Sequence, residues 1–296
     1  MLYLKSFSLP TESEEGDFLF SKKARILDMS CYTVSSAYPF QIFPFKHFSR
    51  MTFEPVTILY GGNGSGKSTL LNIIAEKLAL KRTARYNKTP LMPAYLDYCR
   101  YESLSGGRGI PEASEIITSD GVFDFLLDLR AINEGIDGDR ERLFEEYYQT
   151  RDDLHYRMRS LADYEELKRR NEIRRHTASG FAAKKMGVTE FEGRSNGESA
   201  YFYFTDKIKD NALYLLDEPE NSLSPKLQKE LATFLEEAAR FYNCQFIIST
   251  HSPFLLAMKG AKIYDLDSVP VTPKHWTELK NVRIYHDFFE KHREKF

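Results

Sequence analysis

The chain has 296 residues, 42% of them apolar and 28% charged, with a formal charge of −2. That length and composition suit one large α/β core carrying an insertion, and the near-neutral balance excludes a general affinity for polyanions, so any nucleic-acid site must be a local patch. Cys31, Cys99 and Cys244 lack CxxC or Cys/His ligand spacing and read as reduced thiols; the start MLYLKSFSLPTESEE has no basic end followed by an apolar stretch and no run is long enough to cross a bilayer, so a cytoplasmic protein without membrane contact is expected.

Residues 2–8, 38–43 and 51–61 are short aromatic or β-branched runs, broken by Pro and polar residues, and predict strands of an N-terminal antiparallel sheet. The last run enters a glycine cluster. After it, Leu70, Leu71, Ile74, Leu78 and Leu80 recur close to helical spacing, so strand, glycine loop and helix follow in order. From about 120 to 190 the chain is highly charged, with apolar residues such as Phe125, Leu129, Leu143 and Tyr147 among the charges, and predicts a helical insertion. Strand character returns in ALYLLDEPE and CQFIISTHSP, so one α/β domain over 1–296 is expected around the insertion. Between those strands SPKLQKELATFLEEAARFY predicts a helix, with Ser224 as N-cap, Pro225 at the first position and an apolar stripe of Leu227, Leu231, Phe234, Leu235 and Ala238. The end, NVRIYHDFFEKHREKF, predicts a last surface helix.

The chemistry concentrates in three places. Gly61, Gly62, Asn63, Gly64, Ser65, Gly66, Lys67, Ser68 and Thr69 satisfy GxxxxGK[ST] in the strand–loop–helix context that a phosphate cradle needs. Glycines let backbone N–H groups face phosphates, the helix N-terminus adds a positive dipole end, Lys67 adds a point charge, and Ser68 can hold Mg²⁺. Leu213 to Leu216 lead to Asp217 and Glu218, the first suited to a metal contact and the second to polarising an attacking water. His251 follows a second apolar strand and should emerge at the same sheet edge, where a γ-phosphate contact is expected.

These motifs together resemble the ABC-type ATPase superfamily, with GGNGSGKST as Walker A, LYLLDEPE as Walker B and STHSP as the switch histidine. Arg194-Ser195-Asn196-Gly197-Glu198-Ser199 is similar to the LSGGQ signature, keeping Ser195 and Gly197 and placing Glu198 where the family has Gln. The resemblance implies a three-layer α/β P-loop NTPase fold, ATP and Mg²⁺ as ligands, and a head-to-tail homodimer in which the signature of one chain closes over ATP held by the other. It also implies an adenine-stacking aromatic upstream of Walker A, for which AYPF offers Tyr38 or Phe40, and a Q-loop Gln. That Gln is missing, since none occurs between Gln41 and Gln149, and its work would pass to Arg100, Glu102 or Ser103 in AYLDYCRYES.

DEPENSLSP looks more like the ATPases of DNA repair, chromosome maintenance and phage defence than like transport ATPases, and the whole chain resembles small bacterial AAA-family or ABC-like ATPases. DNA or a protein effector are the partners this implies. A transporter subunit and an ATP-sensing regulatory subunit of a toxin or effector system are the alternatives. The basic run Lys168, Arg169, Arg170, Arg174, Arg175 and His176 offers phosphate contacts, but interleaved acids also make it a solvated helix with i,i+4 pairs.

Overall fold

A computed structural model describes residues 1–21, 37–86, 88–103, 109–152 and 195–295. The chain divides into two compact units, Met1–Asp124 with Asn196–Phe296, and Phe125–Ser195. The basic run at 168–176, Cys31 and Arg194 lie outside the described residues.

The larger unit begins with β1 (Leu4–Ser8) and α1 (Glu12–Leu19), the latter opened by a capping box in which Thr11 and Glu14 satisfy each other's backbone N–H groups. β2 (Arg50–Thr52) and β3 (Val56–Tyr60) follow, separated by Phe53, Glu54 and Pro55. The run expected as one strand over 51–61 therefore serves two sheets. Residues 38–43, expected as a strand, form turns instead: Pro39 and Pro44 have no amide donor for a ladder, and a 3₁₀ turn, Pro44–Lys46, follows.

Next come α2 (Lys67–Lys77), β4 (Lys81–Arg82), α3 (Met92–Tyr98), β5 (Arg100–Ser103) and β6 (Glu115–Thr118). α4 (Ser119–Asp152) is the described part of the expected helical insertion, and most of it falls in the smaller unit. The larger unit resumes with α5 (Asn196–Lys207), β7 (Leu213–Asp217), α6 (Pro225–Phe241), β8 (Gln245–Ser249), α7 (Pro253–Leu256), β9 (Lys262–Asp265), β10 (Pro273–Lys274) and α8 (Lys280–Lys291). Ser224 caps α6 as expected, its side chain accepting from the Leu227 amide, with Pro225 at the first helical position.

Two sheets result. β2, β1 and β5 make a three-stranded antiparallel sheet, and β10, β9, β3, β8, β7, β6 and β4 make a seven-stranded one, parallel throughout except for its β10 edge. The central strands β3 and β8 are buried at every position, which explains their continuous rather than alternating apolar runs. Gln245, at the first position of β8, is fully buried and fastens the two sheets together: its Oε1 accepts from the amides of Tyr3 and Leu4 at 2.7 and 2.8 Å, and its Nε2 donates to the Leu4 carbonyl at 2.8 Å. This P-loop α/β architecture puts the carboxyl ends of β3, β6, β7 and β8 along one edge, where ligands of open parallel sheets bind.

Candidate functional site

The glycine loop leaves β3 at that edge and turns into α2. Gly66 caps the helix with φ of 98°, a left-handed conformation in which a Cβ would also press on Phe43 and Ile42 at 3.4 Å. At Gly61 a Cβ would come within 2.6 Å of Ser65 Oγ, a buried atom with no hydrogen-bond partner among the described residues. Lys67 is buried, and its Nζ donates to the carbonyls of Gly61 and Gly62 at 2.8 and 3.2 Å. The ammonium thus sits in the mouth of its own loop.

β8 lies between β3 and β7, yet the side chains of all three edges meet. Lys67 Nζ is 2.8 Å from His251 Nε2 and 3.8 Å from Glu218 Oε1, and His251 Nε2 is 3.5 Å from the same carboxylate oxygen. An ammonium has only donors, so in this contact Nε2 is the acceptor. Glu218 leaves β7 through a left-handed backbone, φ 49°, which a residue with a Cβ adopts at a cost of about 1–2 kcal/mol; its amide donates to the Ser249 carbonyl at 3.0 Å and Asn221 Nδ2 donates to its Oε2 at 3.2 Å. Strain of this kind aims a carboxylate.

Ser68 Oγ donates to Asp217 Oδ1 at 3.1 Å, and Ser249 Oγ donates to the same oxygen. Burial pushes the Asp217 carboxyl above its ordinary range, while the Ser249 and Ser68 hydroxyls pull it back. The Ser68 hydroxyl and the Asp217 carboxylate are two adjacent hard oxygen ligands that fit a Mg²⁺ ion taking its other ligands from phosphates and water. Among the described residues no group of three His, Cys, Asp or Glu side chains could hold a metal by itself.

Several supports have no signature in the sequence. Lys46 donates to the carbonyls of Ser65 and Leu266, both at 2.6 Å, and burial lowers its pKa. Asp267 accepts from the Gly62 amide at 2.7 Å. Together they hold the loop from behind. Each contact joins segments far apart in the chain, so no local spacing could have revealed it.

Phe40 does not line this site: it is 2% exposed and stacks on Phe18 at 4.8 Å in the core, so its faces are already covered. Tyr38 is the ring of AYPF that reaches the start of α2, its hydroxyl donating to Thr69 Oγ1 at 3.2 Å. Arg100, Glu102 and Ser103 lie on β5 of the antiparallel sheet, not on a strand of the parallel one, and there Arg100 approaches Glu14 and Glu102 approaches Arg50. The residue that pairs with Asp217 across β6 is Thr118. Of the signature-like residues, Ser195 precedes α5 and Gly197 and Glu198 lie in its first turn. A Cβ on Gly197 would meet Leu227 Cδ1 at 3.1 Å and the Ser222 carbonyl at 3.2 Å, so glycine lets α5 rest on the loop after β7.

Residues 138–257 match the family model described as "AAA domain, putative AbiEii toxin, Type IV TA system". That span contains Asp217, Glu218 and His251 and omits the glycine loop. No curated protein matches the chain. Among solved structures it is similar to the Smc head domain with an extended coiled coil bound to the C-terminal domain of ScpA from Pyrococcus furiosus, at 15% identity over 99% of this chain and 100% of that one, TM-score 0.41. It is also similar to the dimeric post-hydrolysis state of an ATP-binding cassette bound to ADP and Pi, at 14% identity over 77% of this chain and 88% of that one, TM-score 0.36.

Proposed function

We propose that this chain, an ABC-type P-loop ATPase by fold and motif, binds ATP with Mg²⁺, hydrolyses it, and works as an ATP-driven switch that pairs head to tail with a second copy. The observation that carries the reading is the convergence of Lys67, Glu218 and His251 within 3.8 Å of one another, from three separate strand ends. In this reading Lys67 exchanges the Gly61 and Gly62 carbonyls for phosphate oxygens, and the amides of Asn63 to Thr69 face the same phosphates. Mg²⁺, held from the protein side by Ser68 and Asp217, would neutralise charge on the phosphates. Glu218 orients and polarises the attacking water, and His251, once Lys67 has moved to the nucleotide, is free to turn a ring N–H donor toward the γ-phosphate. Tyr38 takes the base-stacking role.

Ser195, Gly197 and Glu198 stand at the start of a helix, where backbone donors favour an anion. They reach a γ-phosphate when a second chain brings them from outside, which is why dimerisation follows ATP. The sequence DEPENSLSP supports a role in DNA maintenance or anti-phage defence. The family description supports a second reading, an ATP-sensing regulatory subunit of a toxin system acting on a protein effector. Among the described residues no helix is long and apolar enough to cross a membrane, so a transporter role would require a separate membrane partner.

Phosphate release measured with and without duplex DNA, alongside molar mass by light scattering with and without ATP, separates these readings. ATP-dependent doubling of mass with DNA-accelerated turnover supports the DNA-directed switch. Dimerisation without a DNA effect moves the reading to a protein effector. A protein that neither hydrolyses ATP nor changes mass is not this switch.

A further inference from the structure

We infer that Glu220 is a positioning residue whose carboxylate fixes the backbone carrying His251, and thereby sets the imidazole against Lys67 and Glu218. The inference rests on reading those three side chains as one hydrolytic site. Glu220 Oε1 accepts from the amides of His251 and Ser252 at 2.5 and 3.1 Å. Both amides lie just past the end of β8, where the sheet ladder has stopped and a donor must find another acceptor. A carboxylate oxygen on the loop after β7 therefore anchors the start of the turn after β8, sharing the Ser252 amide with Thr250 Oγ1 at 3.0 Å.

The same junction is closed from its other side. Ser252 Oγ donates to Gln228 Oε1 at 2.8 Å, and Gln228 Nε2 donates to the Leu223 carbonyl at 2.9 Å. Residues 220, 223, 228 and 252 thus make one hydrogen-bonded circuit joining the loop after Glu218 to the loop that presents His251. With both loops tied, the His251 ring cannot drift independently of Glu218.

Stability alone is a poor account of this residue. Burial pushes the Glu220 carboxyl above its ordinary range, the His251 amide and the Thr250 hydroxyl pulling it back, so holding an ionised acid here destabilises the fold. What the carboxylate does achieve is geometric: one oxygen gathers two successive amides next to the histidine. Reaction rates respond to such placement, since a displacement of about 1 Å can cost on the order of 100-fold.

The test is a double-mutant cycle read by steady-state phosphate release with saturating ATP and Mg²⁺. Glu220→Ala in the otherwise unaltered protein should lower kcat roughly 10- to 100-fold while changing KM for ATP less than about 3-fold. Glu220→Gln keeps a carbonyl acceptor at Oε1 and should recover most of that loss, whereas Glu220→Asp, one methylene shorter, should not. In a His251→Ala background Glu220→Ala should have no further effect, because nothing remains to be positioned. Equal losses in both backgrounds would overturn the inference, as would unchanged turnover in Glu220→Ala. If Glu220→Ala fails to fold, Glu220→Asp carries the same cycle, with Glu220→Gln as the control that should stay near the unaltered rate in both backgrounds. A wild-type protein that does not hydrolyse ATP overturns the ATPase reading together with this one; a turning-over enzyme indifferent to Glu220 overturns this one alone.

Discussion

At the carboxyl edge of the seven-stranded sheet, Lys67 is 5% exposed and Glu218 and His251 just under a third exposed, and the three close on one another from different strands. On the three-stranded sheet, Arg50 and Glu102 also approach to 3.1 Å, but both side chains are more than half exposed, and Arg100 reaches Glu14 only at 3.9 Å. Similar charges are at work in both places. In water such pairs contribute about 0–1 kcal/mol, because solvent screens them and two long side chains must be ordered. At the partly buried edge each charge is held by backbone geometry and left with unfilled capacity for a ligand.

The comparison predicts a hierarchy of effects. The largest belongs to the edge: Lys67→Ala should reduce turnover on the order of 10²–10³-fold, measured by phosphate release, with the fold retained by circular dichroism. Next is the fastening between the sheets. Gln245→Ala would strand the Tyr3 and Leu4 amides in the core, and urea unfolding should show a loss of about 3 kcal/mol, with turnover per folded molecule unchanged. If turnover fell as well, the antiparallel sheet would be part of the site rather than its support.

A smaller effect depends on pH. Glu15 is buried and its carboxyl accepts from the Gln41 amide at 2.6 Å; burial raises it to about 7, with hydrogen bonds from Gln41 and Tyr95 opposing. The folded protein therefore holds this proton to higher pH than the unfolded chain does. Its stabilising contribution is complete below the unfolded value near 4.5 and is lost as pH rises through about 7, on the order of 3 kcal/mol in all. Glu15→Gln should flatten that part of a stability-versus-pH curve obtained by chemical unfolding. The smallest effect is at β5. Arg100→Ala and Glu102→Ala should each change stability by under about 0.5 kcal/mol and leave turnover alone; a large loss of turnover would restore them as stand-ins for the missing Gln.

What could be read in advance follows this division. The glycine loop, Asp217, Glu218 and His251 were legible because each sits at a fixed offset from a buried strand, and in a parallel sheet all such offsets end on one edge. Residues 38–43 have the aromatic content of a strand, but Pro39 and Pro44 decide for turns. In the same segment, alternation alone could not tell that Phe40 turns into the core while Tyr38 reaches Thr69. AYLDYCRYES lies on α3 and β5 rather than at the edge of the parallel sheet, because its register is set by pairing with β1, nearly a hundred residues upstream. Lys46, Asp267 and Ser249 were invisible for the same reason: their partners are distant in sequence, and a lone Lys, Asp or Ser carries no spacing.

The most direct test of the account is turnover by Glu218→Gln beside the unaltered protein, at saturating ATP and Mg²⁺, with nucleotide binding measured separately on both. Loss of the carboxylate proposed to polarise water should lower kcat on the order of 10²–10⁴-fold while ATP still binds, because Lys67 and the loop amides are untouched. Turnover at the unaltered rate in Glu218→Gln would contradict the assignment of this sheet edge as the hydrolytic site.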